Sequence, residues 1–177
     1  MTTVLAGLFK HHHWANQRLF AACSGLNDRV LDATTPGTFG SILSTLTHIV
    51  TSEESYLAAI TGEPPERPSL TQESAFDIDD LAQRARRSGE RLIAVARQTP
   101  ADQVLRGTRG GQPYAIPLSI FLTQAINHAT EHRSQVMTIL SQQGITPPVL
   151  DAWTFNANAG HDVDAGAPGP ASPPSPA

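Results

Sequence analysis

Gln124-Ala-Ile-Asn-His-Ala-Thr-Glu-His-Arg-Ser-Gln135 decides how the rest of the chain is read. The stretch lies in a long helical run, so His128 and His132, four residues apart, project from the same face. Residues at that spacing have Cβ atoms ~5–6 Å apart, from which two imidazole nitrogens can reach one ion at ~2.0–2.1 Å each. A third ligand must come from elsewhere. His48, in Ser41-Ile-Leu-Ser-Thr-Leu-Thr-His-Ile-Val50, is the candidate, being the only His between the first predicted helix and His128. Its neighbours at three- and four-residue spacing, Ser41, Ser44, Thr45, Thr51, Ser52 and Ser55, are small and polar, which leaves room for an ion, water and ligand. Leu46, Ile49, Val50 and Leu57 fall to the side and can pack a core.

The helices around this run define an all-α chain. Val4 to about Cys23 forms the first helix, with Leu5, Leu8, Phe9, Ala15, Leu19 and Ala22 as its apolar stripe and Ser24-Gly25 as its stop. A second helix runs from about Ser41 to Ile60 and ends at Thr61-Gly62, before a Pro-rich connection through Pro68. Asp77 is a good N-cap for a third helix that reaches about Gln98 and buries Leu81, Ala85, Leu92, Val95 and Ala96. Weak alternation around Gly110-Gly111 predicts a short hairpin between Asp102 and Ile116. Pro117 then opens a fourth helix that extends to about Gln143 and is closed by Gly144 and Pro147-Pro148. A four-helix bundle with one long crossover between the second and third helices is the economical architecture. Trp153 and Phe155 are expected to dock a C-terminal extension. The domain is read as residues 1–160 and the rest as a disordered tail, because from Ala165 onward nothing apolar larger than Ala offsets the entropy of ordering.

Composition narrows the partners. About 150–160 residues outside the tail suffice for one core that buries ~70% of the unfolded surface. A formal charge of −4 and a pI near 5.9 argue against a nucleic-acid or anionic-membrane surface. Seven arginines fall between Arg84 and Arg109 and read as a solvated helix face. The longest apolar stretches, such as Ile42–Val50, fall short of the ~18 residues of a membrane span. A single cysteine, Cys23, allows no intramolecular disulfide and fits a small core residue as well as a free thiol of interest, with no catalytic role expected. With no secretory signal at the start, a soluble protein of the reducing cytoplasm is expected.

A dinuclear carboxylate site is the rival metal reading, since helical bundles house such ions between paired Glu-x-x-His motifs. No Glu-x-x-His occurs in this chain, and Glu131 adjoins His132 rather than preceding it by three. The mononuclear site is therefore preferred, with Glu131 or Gln135 available to orient an imidazole through its other nitrogen. His11, His12 and His13 fan out at ~100° per residue and cannot share a face, so at most one points inward. No Gly-x-Ser-x-Gly, phosphate-cradling loop or Cys-x-x-Cys is present.

Leu8-Phe9 with Trp14-Ala15-Asn16 and Arg18-Leu19, Gly40-Ser41-Ile42-Leu43 with Thr45-Leu46 and His48-Ile49, and Gln124-Ala125, His128, Glu131-His132-Arg133-Ser134-Gln135, Leu140 and Gly144 together resemble the DinB family of damage-inducible, YfiT-like proteins. The resemblance spans about residues 4 to 155. It implies a four-helix bundle, frequent homodimers, and one divalent ion held by three His that fall on His48, His128 and His132. Zinc and nickel both suit that donor set. The wider superfamily includes metal-dependent transferases of low-molecular-weight thiols such as bacillithiol or mycothiol, and a maleylpyruvate isomerase. The His11-His12-His13 run and the Pro-rich tail depart from the family pattern.

Two functions follow. As an enzyme, the protein would use an ion with an open position to activate a thiol or water for transfer or hydrolysis of a small-molecule substrate, with no side chain nameable as acid or base. As a non-catalytic binding module in a stress response, it would use the ion to hold the bundle together. For the tail, deletion of Ala165–Ala177 should leave the melting temperature within a few degrees of the full chain; a larger fall in a thermal scan would show that these residues pack on the domain.

Overall fold

The computed structural model describes residues 3–64, 77–98 and 103–158. The tail, His161 and the Pro-rich stretch around Pro68 lie outside the described residues. Six helices and one hairpin follow in order: α1 (Val4–Cys23), α2 (Asp28–Leu31), α3 (Ile42–Thr61), α4 (Ile78–Gln98), β1 (Val104–Arg109), β2 (Gln112–Pro117), α5 (Leu118–Gln142) and α6 (Ala152–Asn158). None of these helices is long and apolar enough to cross a membrane.

Local chemistry accounts for the ends. The Thr3 and Ser41 hydroxyls accept from the N–H groups of Ala6 and Ser44, both at 3.1 Å, and the Asp77 carboxylate accepts from Asp79 N–H at 2.9 Å. Gly62 closes α3. The hairpin pairs antiparallel from Val104↔Pro117 to Arg109↔Gln112, and its two-residue turn needs positive φ at both positions, which Gly110 and Gly111 supply at 56° and 79°. Pro117 ends β2 and caps α5 instead of opening it, since neither place needs the backbone N–H that proline lacks. The short α2 and α6 are too brief to show a periodic stripe in the sequence.

α1, α3, α4 and α5 make the bundle, with α1 against α4 and α5, and α3 against α4 and α5. Two apolar clusters fill it. One gathers Leu19, Phe20, Ile42, Leu46, Ile49, Leu81, Val136 and Ile139; the other gathers Phe9, Leu57, Leu92, Leu105, Leu118 and Leu122. Along α1 and α5 the chain passes from the second cluster to the first, and along α3 and α4 from the first to the second. The neighbours α3 and α4 thus run parallel, so the end of α3 and the start of α4 lie at opposite ends of the bundle, consistent with the expected long crossover.

Between the two clusters lies a buried polar layer. Glu53, 1% exposed, accepts from His12 Nε2 at 2.8 Å and Asn16 Nδ2 at 2.6 Å on one oxygen, and from Ser88 Oγ at 2.6 Å on the other. Asn16 Oδ1 accepts in turn from Arg133 Nη1 at 2.7 Å. All four long helices are tied through this layer. Burial pushes the Glu53 carboxyl up, but the attraction of His12 and the hydrogen bonds from His12, Ser88 and Asn16 outweigh it and hold the group below the ordinary carboxylate value. Burial lowers the Arg133 guanidinium to about 10, against the opposing pull of Glu53.

Several expectations change here. Arg84 does not belong to a solvated stripe: it is buried and forms a two-pronged pair with Glu54, its Nε donating to Oε1 at 2.9 Å. Trp153 is 70% exposed, so it does not dock the C-terminal extension. Phe155 does, with ring centroids 5.5 Å from both His11 and Trp14, while His11 Nε2 donates to the Leu150 carbonyl at 2.8 Å. Cys23 is buried in the apolar core, which pushes its thiol up to about 12 and leaves it unreactive.

Removing one partner of a buried charged network costs about 3–5 kcal/mol. Glu53→Ala should lose stability on that scale in urea unfolding, and Glu53→Gln less, because its amide keeps an acceptor. The folded carboxyl lies below the ordinary value of 4.5, so its contribution is complete above that pH and fades as acidification passes through the folded value. The gap between wild type and Glu53→Gln should therefore narrow with acid.

Candidate metal centre

The paired histidines of α5 meet His48 of α3 on the seam where these helices pack. His48 Nε2 and His128 Nε2 are 3.0 Å apart, and the ligand atoms of the three rings all lie within 4.8 Å of one another. Ring centroids are separated by 4.8 Å for His48 with His128, 4.8 Å for His48 with His132, and 4.5 Å for His128 with His132. Tetrahedral donors at ~2.0–2.1 Å from one ion are ~3.3 Å apart, so these nitrogens are already close to the spacing a divalent ion needs. His48 and His128 are half-buried and His132 is buried; among the described residues no other His, Cys, Asp or Glu joins the group.

Three imidazoles this close disfavour charge. Burial and then the charge of His132 lower His48; burial followed by His132 and His48 lowers His128 to about 4, despite the opposing pull of Glu131 and Glu53. Neutral imidazole is the form that donates a lone pair to a metal. His132 is oriented by Gln135: its Nδ1–H donates to Gln135 Oε1 at 2.9 Å, leaving Nε2 free to face the other rings. The same Oε1 accepts from Phe39 N–H at 3.1 Å. Glu131 is exposed, so the orienting partner among the two considered is Gln135.

Two aromatic neighbours were not evident in the sequence. Phe39, 53% exposed, stacks on His48 with centroids 4.1 Å apart and planes 11° apart, and meets His132 edge-on at 5.3 Å. Tyr56 stands perpendicular to His128 at 6.1 Å. Tyr56 lies two turns after His48 on α3 and could have been placed by spacing; Phe39 sits in the loop before α3, where no periodicity reports a contact. The His11-His12-His13 run stays apart from the cluster. His12 alone is buried, bound to Glu53, while His11 secures the C-terminal extension.

The model of the DinB family matches residues 1–164. Among solved structures, the chain is similar to a DinB-like protein from Bacillus cereus ATCC 10987, with a TM-score of 0.60 and 23% identity over 79% of this chain and 91% of that one. A search of curated proteins gave no match. The helical bundle agrees with that neighbour, and the family match covers the whole of the bundle and its histidine cluster. This chain belongs to the DinB family.

Proposed function

We propose that His48, His128 and His132 hold one divalent ion, zinc or nickel, and that the protein is a metal-dependent enzyme transferring a low-molecular-weight thiol to an electrophilic small molecule. The observation that carries this reading is the convergence of three imidazoles, with the proton affinity of His48 and His128 lowered, and no fourth protein ligand beside them among the described residues. A divalent ion held there by the three neutral imidazoles would supply an uncompensated positive charge that favours the thiolate, the reactive form of a small thiol. The protein's own residues prepare the site. Gln135 fixes which nitrogen His132 presents, Phe39 covers one face of His48, and Tyr56 borders His128. In the reaction a sulfur–carbon bond forms, the leaving group departs from the electrophile, and the thiol proton passes to solvent.

Replacing His48, His128 or His132 singly by Ala should sharply lower the metal content measured by elemental analysis of untagged protein. His11→Ala should leave it near one equivalent. A full complement of metal in His128→Ala would overturn the assignment. His12→Ala is a poor control, because His12 bonds the buried Glu53.

Titration of the metal-free protein offers a second check. The folded value of His128 is depressed from 6.5 to about 4, so neutral His128 supports the fold above 6.5 and that support is lost as the pH falls from there through 4. NMR of the ring protons should place its midpoint near 4; an ordinary midpoint would show that the three rings do not crowd together in solution.

Activity is tested with bacillithiol, mycothiol, glutathione and cysteine against a chlorobimane, with His132→Ala as control. At least one thiol should perturb the visible spectrum of a cobalt-substituted site and give turnover above the control. Metal binding without either response would leave the ion a structural role in a binding module.

A further inference from the structure

A groove of about 760 Å³ opens beside the histidine cluster, between the second half of α3, the hairpin and the start of α5. Its size falls within the ~300–1,000 Å³ of small-molecule sites. Tyr56, Tyr114, Phe121, Ile116, Ile120 and Gln124 form its main walls, and among the described residues no Asp, Glu, Lys or Arg lines it. It runs up to the cluster at two points. Tyr56 belongs to the groove and also meets His128 edge-on at 6.1 Å, and Gln124 lies one turn before His128 on the same stripe of α5.

The hairpin wall is built for an aromatic ring. Gly107 pairs with Tyr114 across the strands, and a Cβ at Gly107 would stand 2.6 Å from the Tyr114 hydroxyl oxygen and 2.7 Å from Cζ. Only a residue without a side chain lets this ring lie across the neighbouring strand. There it meets Phe121 of α5, with centroids 6.0 Å apart. Side chains alternate along a strand, so Arg106, paired with Ala115, faces away from the side that carries Tyr114.

An uncharged wall of rings and aliphatic groups favours a ligand body of the same kind and opposes a phosphate or carboxylate, which would be stripped of water without a counter-charge. Resting on the metal-centred reading above, we propose that the groove holds the uncharged, ring-bearing body of an organic electrophile whose reactive head reaches the cluster of His48, His128 and His132. Gln124 and the two tyrosine hydroxyls, with Ser55, Thr108 and Gln112, provide uncharged polar groups that orient it. The groove selects the substrate, and the histidine cluster supplies the chemistry.

Hydroxamates on the cobalt-substituted full chain separate the two contributions. Acetohydroxamate offers only a metal-binding head, biphenyl-4-hydroxamate adds an uncharged body, and its 4′-carboxylate adds a charge. The biphenyl compound should bind about tenfold or more tightly than acetohydroxamate, and the carboxylate should forfeit most of that gain. Ile120, 55% exposed on the wall, can be changed without opening the core; Ile120→Glu should abolish the gain while acetohydroxamate binds as before. Equal affinity for all three compounds, with clear spectral changes at the metal, would overturn the groove and leave the metal site standing. Biphenyl-4-carboxamide, which has no chelating head, is then added to metal-free protein and followed by amide NMR. Shifts confined to residues 55–59 and 112–124 would support the groove even if no hydroxamate perturbed the cobalt spectrum; their absence would refute it.

Discussion

The buried Glu53 carboxylate sets the constraint from which the other features follow. Hydrogen bonds from α1 and α4 converge on it from its place on α3, and Asn16 extends the link to Arg133 of α5. Placing a carboxylate in an apolar bundle carries a desolvation penalty of several kcal/mol, which the His12 attraction and the three hydrogen bonds offset. Each donor has to stand at one height along its helix and at one rotation about its axis. Apolar contacts alone would tolerate sliding and rolling; a polar layer between two apolar clusters does not.

That rotation is what assembles the histidine cluster. His48 and Glu53 are five residues apart, ~140° around a helix of 3.6 residues per turn, so directing Glu53 to the centre turns His48 toward the seam with α5. Arg133, one residue after His132, points into the same polar layer, which leaves His132 and His128 on the side that faces His48. The cluster is then held from outside by Gln135 and Phe39, whose contacts join the loop before α3 to α5. Interior charge and surface site are two faces of the same pair of helices.

The surroundings of the cluster differ by side. Stacked Phe39 shields His48, whereas past Tyr56 the wall becomes the groove shaped by Gly107, Tyr114 and Phe121. The hairpin thus has a use beyond connecting α4 to α5. Its tight turn at Gly110-Gly111 brings β2 back directly to the start of α5, so that the strand and the helix stripe carrying Gln124 and His128 border one space.

Much of this was carried by the amino-acid sequence. Ser41, Gly62 and Asp77 mark helix ends through hydrogen bonds and backbone angles that need only near neighbours, and Gly110-Gly111 marks the hairpin for the same reason. His128, His132 and Gln135 are legible because helical spacing places them on one face, and His48 because the chain between the first helix and His128 offers no other His. What only the tertiary structure decided involves residues that local rules treat as equals. Glu53 and Glu54 adjoin, yet one enters the polar layer and the other pairs with Arg84; His12 is buried while its two neighbours are not; Phe155 docks while Trp153 remains exposed. Phe39 meets His48 from a loop that Gln135 of the distant α5 helps to hold. The physical reason is one of range: capping, turn geometry and periodicity act within a few residues, whereas the burial of a charge or a ring depends on which distant helix arrives opposite it.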